Sequence, residues 1–198
     1  MRISPENVRG RFYRPGQPFA AGELSAMALA GDLYPMLSGL WTSVVPPWTA
    51  QQRADGIWAL LNECQAQAAC GAAAAWIYTA GPGPDVIEYT SAHPLRRGRQ
   101  SRLQPVRCVE RDLRPEDLRL VAGATITSPE RTAFDLLFYG EDDAHIVRDV
   151  GALHRSGCEP VDLSRLRQRI HRARRRPGKV RALDLLDQLD QSHGTSER

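Results

Sequence analysis

Thr127-Ser128-Pro129-Glu130-Arg131-Thr132-Ala133-Phe134-Asp135-Leu136 carries the strongest local signal in the chain. Thr127 and Glu130 stand at capping-box spacing, and Pro129 falls in the first helical turn, where its missing N–H is not needed. The spacing predicts a helix opening here, with Ala133, Phe134, Leu136, Leu137 and Phe138 on its buried face. Leu120 to Thr127 reads as one strand feeding directly into it. A strand, a tight turn and a helix in succession point to a mixed α/β layer.

The reading extends outward from that motif in both directions. Upstream, Gly71 to Tyr78 forms an alanine-rich helix that Gly81-Pro82-Gly83-Pro84 must end, with Trp76 as a large apolar anchor. Val86 to Thr90 and Val106 to Arg111 read as strands on either side of a polar loop, His93 to Gln104. Thr49 caps a helix running to about Cys64. Earlier still, a short helix from Ala20 to Ala30 stops at Gly31, and Leu33 to Leu37 and Leu40 to Val45 form a hairpin around Ser38-Gly39. The first twenty residues read as an irregular arm. Downstream, helices are predicted over Asp142 to Ser156, Val161 to Arg175 and Lys179 to Leu189, with disorder from Gln191 to Arg198. The expected class is α+β. It divides into a basic arm with a small winged-helix-like element (1–47), a mixed α/β domain with a helical C-terminus (48–190) and a tail (191–198).

With 198 residues, 42% hydrophobic and 25% charged, the chain has the composition of a folded globular protein. Its longest apolar runs fall short of the ~20 residues that cross a bilayer. The N-terminus lacks the apolar core of a secretory signal, so a cytoplasmic location is expected. Cys64, Cys70, Cys108 and Cys158 have irregular spacing and are expected to be reduced. The net charge of +3 is carried almost wholly by arginine, since Lys179 is the sole lysine. A GC-rich genome produces the same bias, so singly scattered arginines say little.

Several chemistries are excluded or unsupported. A restriction-type nuclease needs paired acids followed closely by a lysine, and Lys179 follows Pro177-Gly178 instead. Nucleotidyl transfer needs a Gly-Ser turn and an Asp-x-Asp pair for Mg²⁺, and neither string occurs. His154 and Cys158 lack a second ligand pair for zinc. Asp184, Asp187 and Asp190 read as a solvated helix face. No catalytic residue, metal or cofactor is expected.

The clearest functional feature is the acid-free run containing Arg165, Arg167, Arg169, His171, Arg172, Arg174, Arg175, Arg176, Lys179 and Arg181. Guanidinium groups bind phosphate oxygens bidentately and release condensed counterions, which suits a nucleic acid. A helix face pairing with the acidic Asp184 to Asp190 helix is the competing account. The N-terminal arm repeats the theme with Arg9, Arg11, Tyr13 and Arg14. The candidate nucleic-acid contacts are therefore Arg9, Arg11, Arg14, Arg165, Arg169, Arg172, Arg174, Arg175, Arg176 and Lys179.

Ala74-Ala75-Trp76-Ile77-Tyr78 together with the Thr127 to Leu136 motif resembles the actinobacterial AbiEi-type antitoxin family of type IV toxin–antitoxin systems. Arg175 to Leu183 is also similar in type, and the resemblance spans roughly Phe19 to Leu189. It implies a non-catalytic regulator that binds double-stranded DNA through an N-terminal winged helix and carries a C-terminal antitoxin domain. A nucleotidyltransferase-like toxin is the implied partner. The helix over Ala21 to Ala30 and the hairpin at Ser38-Gly39 correspond to the winged element, although full-length relatives have more helix before it. A homodimer is expected from the benefit of two half-sites. The alternative is an interaction module that neutralises its partner without binding DNA.

Overall fold

The computed structural model describes residues 12–61, 64–91, 106–157, 159–173 and 176–194, without the side chains of 192–194. The fold is α+β, with seven α-helices and two sheets among these residues. The first sheet contains β1 (Phe12–Tyr13), β2 (Tyr34–Leu37) and β3 (Leu40–Thr42) in the order β1-β3-β2, with antiparallel pairing throughout. Helix α1 (Ala21–Ala30) lies between β1 and β2 in the chain and ends where Gly31 adopts a left-handed conformation at φ 85°. The helix, stop and hairpin follow the sequence expectation. Strand β1 does not, because backbone pairing to β3 orders residues that alternate too briefly to signal a strand.

Helix α2 (Ala50–Leu61) leads into a five-stranded sheet of order β6-β5-β4-β8-β7. Its strands are β4 (Ala66–Ala69), β5 (Ile87–Ser91), β6 (Val106–Cys108), β7 (Leu118–Val121) and β8 (Ala124–Thr127). Strands β4 and β8 run parallel, as do β5 and β6, whereas β4–β5 and β7–β8 are antiparallel. Two sequence expectations are corrected here. The single strand over Leu120 to Thr127 is a hairpin whose two turn residues, Ala122 and Gly123, have φ of 51° and 88°. Positive φ at both positions matches the right-handed strand twist, but alanine is a poor signal for it because its Cβ resists that conformation. Strand β4, Ala-Gln-Ala-Ala, was not expected because alanine favours helices; its place between β5 and β8 overrides that preference.

Helix α3 (Gly71–Thr79) joins the two halves of the core. Ala73, Trp76 and Ile77 pack with Met36, Leu37, Leu40, Ile57 and Ile126, so the first hairpin shares a core with α2 and the main sheet. Ala75 instead packs against α4 (Pro129–Tyr139), α5 (Asp143–His154), α6 (Leu163–Arg172) and α7 (Lys179–Gly194), where Phe134, Leu137, Val150, Leu166, Ile170 and Leu186 are buried. The alanines of α3 are needed because both faces are covered, and small side chains let two layers approach one helix. Arg53 finishes this helix from below: its Nε and Nη2 donate to the Ile77 carbonyl at 3.2 and 2.7 Å. Helix α7 continues to Gly194, so the tail expected to be disordered from Gln191 begins as helix. Its apolar residues Leu185, Leu186 and Leu189 hold the helix on the core and carry it past the last leucine.

The strand directions bring several chain ends together. Parallel β4 and β8 finish where α3 and α4 begin, and antiparallel β7 starts at the same end of the sheet. Convergence of helix N-termini and strand ends there sets the place of the charged groups described below.

Leu40 is fully buried in the shared core. Leu40→Ala should therefore destabilise the whole protein by ~2–5 kcal/mol, as a single shifted transition in urea followed by circular dichroism. A loss under 1 kcal/mol, or a separate early transition, would show that the hairpin is energetically detached.

Candidate nucleic-acid interface

Pro129 occupies the first turn of α4 as the sequence predicts, but the capping side chain is Ser128 and not the expected Thr127: its hydroxyl accepts the backbone N–H of Arg131 at 3.3 Å. In the capping arrangement Thr127 instead shares its hydroxyl with Thr132 at 2.7 Å. The helix start fixes Arg131 and Asp135 one turn apart, both pointing to the sheet end. Arg131 Nε reaches both Asp135 oxygens at 3.0 Å, and its Nη1 reaches Asp117 Oδ2 at 2.8 Å and the Asp112 carbonyl at 2.6 Å. All three charged side chains are at most 5% exposed. Asp117 sits in the 3-10 turn Pro115–Asp117 immediately before β7, and its own carbonyl accepts the Ser128 N–H at 2.7 Å.

This buried network governs the acidities. Burial alone would push the Asp117 carboxyl up, but Arg169, the Arg114 N–H and Arg131 outweigh it and hold it below the usual range. Asp135 is raised, because burial prevails over the pull of Arg131. Burial, followed by the charge of Glu88, also pushes the Cys70 thiol up, which disfavours a thiolate nucleophile there.

The network extends into α6, the start of the arginine segment. Asp162 caps the helix by accepting the Arg165 N–H at 3.0 Å, and Leu163, Leu166 and Ile170 bury one face. Arg169 Nη2 bonds Asp117 Oδ1 at 2.6 Å, its Nη1 bonds Glu130 Oε1 at 3.3 Å, and its guanidinium lies 5.0 Å from the Phe134 ring centroid. Arg165 Nε pairs with Glu130 Oε2 at 3.1 Å. On the other flank Arg167 pairs with Asp187 at 2.7 Å and Asp190 at 2.6 Å. Arg181 is bound by Asp143 and by the Gly140 carbonyl. The run that lacks acids in sequence thus meets acids from α4, α5, α7 and the 3-10 turn in space.

The α6–α7 junction differs. Arg172 is exposed, and no carboxylate pairs with it among the described residues. Arg176 donates to the Tyr139 hydroxyl at 3.0 Å and lies 5.4 Å from the Phe134 ring and 5.8 Å from the Phe138 ring, with no carboxylate partner among the described residues. Lys179 Nζ donates to the carbonyls of His171 at 2.7 Å and Ala173 at 3.5 Å, closing the C-terminus of α6 and keeping its own charge unneutralised. Arg174 and Arg175 lie outside the described residues, as do Arg9 and Arg11 of the arm. Arg14 bonds the Ala59 carbonyl at 3.4 Å, which fastens the end of the arm to α2. The described candidates of the arginine segment therefore fall into two groups: Arg165 and Arg169 are engaged by carboxylates, while Arg172, Arg176 and Lys179 lie at the junction.

A family model for the AbiEi antitoxin C-terminal domain matches residues 67–188. The chain belongs to this antitoxin family. Membership gives it an antitoxin role and implies a toxin partner. The matched residues run from β4 through α7, so the antitoxin domain comprises the main sheet, the helical layer, the buried network and the junction. No curated protein matches the sequence. Among the described residues no helix is long and apolar enough to cross a membrane.

Of the groups that organise the antitoxin domain, Arg131 and Asp135 could have been found from their i, i+4 spacing in the opening motif. Asp117 could not, because nothing local marks a carboxylate 14 residues before its partner.

Removing Arg131 would leave Asp117 and Asp135 buried without their shared cation, so Arg131→Ala should cost ~3–5 kcal/mol at neutral pH, read from the urea midpoint. A cost under 1 kcal/mol would mean that water reaches the site. Because the folded-state pKa of Asp117 is lowered, its stabilisation is complete above the unfolded value of about 4 and disappears as pH falls through the lower folded value. The stability gap between wild type and Asp117→Asn should accordingly narrow as pH is taken below about 4. A gap independent of pH would contradict an ionised Asp117.

Proposed function

We propose that this antitoxin is a transcriptional regulator that binds double-stranded DNA, with the backbone held at the α6–α7 junction. The observation that carries the reading is the set of three cations, Arg172, Arg176 and Lys179, that lack carboxylate partners among the described residues. Arg174 and Arg175 stand between them in sequence, giving five basic side chains within eight residues. Cations already bonded to carboxylates gain less from a phosphate, since an existing pair must be broken first. Arg165 and Arg169 are therefore supporting residues in this proposal, and the arm residues Arg9, Arg11 and Arg14 are a second phosphate contact.

Base reading would fall to the winged-helix-like unit of β1, α1, β2 and β3, within the proposed 1–47 unit. Helix α1 has no arginine, lysine, asparagine or glutamine, the side chains that make bidentate base contacts, so sequence preference would be modest. Two copies acting as a homodimer would double the phosphate contacts. A nucleotidyltransferase-like toxin encoded beside it is the proposed protein partner, and the cytoplasm the proposed location.

Neutralisation of a toxin without DNA contact is the second reading. It is favoured by α1, whose exposed surface is uncharged apart from Glu23 and displays Leu29 at 90% exposure, a surface suited to another protein.

An electrophoretic shift with the DNA upstream of the gene, repeated across a salt series, separates the two. The triple variant Arg172→Ala/Arg176→Ala/Lys179→Ala should lower the log–log salt slope by about 2 to 3, near 0.9 per lost phosphate. Arg165→Ala/Arg169→Ala should lower stability and change the slope less. No shift of wild type at any salt concentration would reject DNA binding and leave the second reading.

A further inference from the structure

We propose that the ring of Tyr139, framed by Arg111 and Arg176, is a stacking platform for an unpaired base, which makes the junction a site for single-stranded nucleic acid. The phosphate contacts rest on the function proposed above, but the ring adds a requirement that duplex binding does not have.

Tyr139 is the last residue of α4 and is 41% exposed, one of few large hydrophobic side chains left open to solvent among the described residues. The Arg111 guanidinium lies 3.8 Å from its ring centroid. Arg111 is itself only 11% exposed, bonds the Glu110 carbonyl at 3.0 Å and stands 3.9 Å from Asp135. Its Nε is buried without a hydrogen-bond partner, so stacking on Tyr139 is a principal restraint on this end of the side chain. At the ring edge, Arg176 Nη1 already donates to the hydroxyl. With Arg111 stacked on one face and the hydroxyl engaged by Arg176, what the 41% exposed ring can offer a ligand is the face opposite Arg111.

The electrostatic surroundings permit a phosphodiester chain. The nearest acids in sequence are Glu141, which is bonded to Arg107 at 2.9 Å, Asp142, which turns away to cap α5 by accepting the His145 N–H at 2.9 Å, and Asp143, which is bonded to Arg181. Asp135 is buried beneath Arg111. Arg176 touches the ring itself, and Lys179 and Arg172 follow at the junction. An aromatic face beside cations suits a strand whose bases are free to stack, because bases within a duplex are already stacked on one another. Ring and guanidinium groups do not select for or against a 2′-hydroxyl, so both DNA and RNA single strands fit.

The test is fluorescence anisotropy of the full chain with labelled single strands of about 12 nucleotides, as DNA and as RNA, and with a duplex of the same sequence. Tyr139→Ala should weaken single-strand binding roughly tenfold, the usual effect of losing one stacked base, while leaving duplex binding within about twofold. Tyr139→Phe, which keeps the ring, should retain most single-strand affinity, and circular dichroism of each variant verifies folding. A folded Tyr139→Ala variant with unchanged single-strand affinity, or a Tyr139→Phe variant as weak as Tyr139→Ala, would overturn the platform. The triple variant of Arg172, Arg176 and Lys179 separates the two proposals. If it weakens duplex binding while Tyr139→Ala changes nothing, the phosphate surface survives and the platform does not. If it changes neither, the shared phosphate reading fails.

Discussion

The bond from Arg131 to Asp117 ties together parts of the chain that no local preference would join. Arg131 belongs to the first turn of α4, while Asp117 ends a 3-10 turn before the outermost strand of the main sheet. The carboxylate is shared with Arg169 of α6, so one aspartate holds a strand, a core helix and a peripheral helix in register. Desolvation makes such a cluster costly unless every charge is met, and here Asp135, the Asp112 carbonyl and the Arg114 N–H complete the set. Its value lies in geometry. Alternative placements of α6 would take Arg169 away from Asp117 and leave that carboxylate to Arg131 alone.

Electrostatics of the surface follow from that anchor. Once Arg165 and Arg169 are drawn to Glu130 and Asp117, and Arg167 to the acidic face of α7, most of α6 is electrically matched within the molecule. Unmatched charge remains where α6 stops and α7 starts. Among the described residues of this segment, Arg172, Arg176 and Lys179 are left there without a carboxylate, with Arg176 against the aromatic end of α4. Aromatic rings hold Arg176 where a carboxylate would otherwise be needed, and a guanidinium stacked on rings keeps its positive charge available.

Beyond its surface ion pairs, arginine serves three further purposes among the described residues. Arg53 closes the end of α3 through the Ile77 carbonyl, Arg131 neutralises buried aspartates, and Arg176 stacks at the surface. A planar fork with donors in fixed geometry serves all three tasks, where the compact ammonium of a lysine has neither the bidentate plane nor the flat face for stacking. Composition could not separate these uses, since each reads as the same letter in an arginine-rich sequence.

Much of the architecture was legible in one dimension. Pro129 announces the start of α4, Gly31 marks the end of α1, the leucines of α7 repeat at helical spacing, and the motif around Arg131 together with Ala74 to Tyr78 suggests the antitoxin family. These are signals between residues a few positions apart, where chain geometry alone dictates the outcome. Strand β4 and the hairpin of β7 and β8 escaped because alanine gives weak β and turn signals, and neighbouring strands imposed their conformation. The charged site was decided only by tertiary structure. Sequence showed a run of cations without an intervening acid, but Coulomb attraction acts through space, and folding brought Asp117, Glu130, Asp187 and Asp190 to one part of that run while leaving Arg172, Arg176 and Lys179 without them.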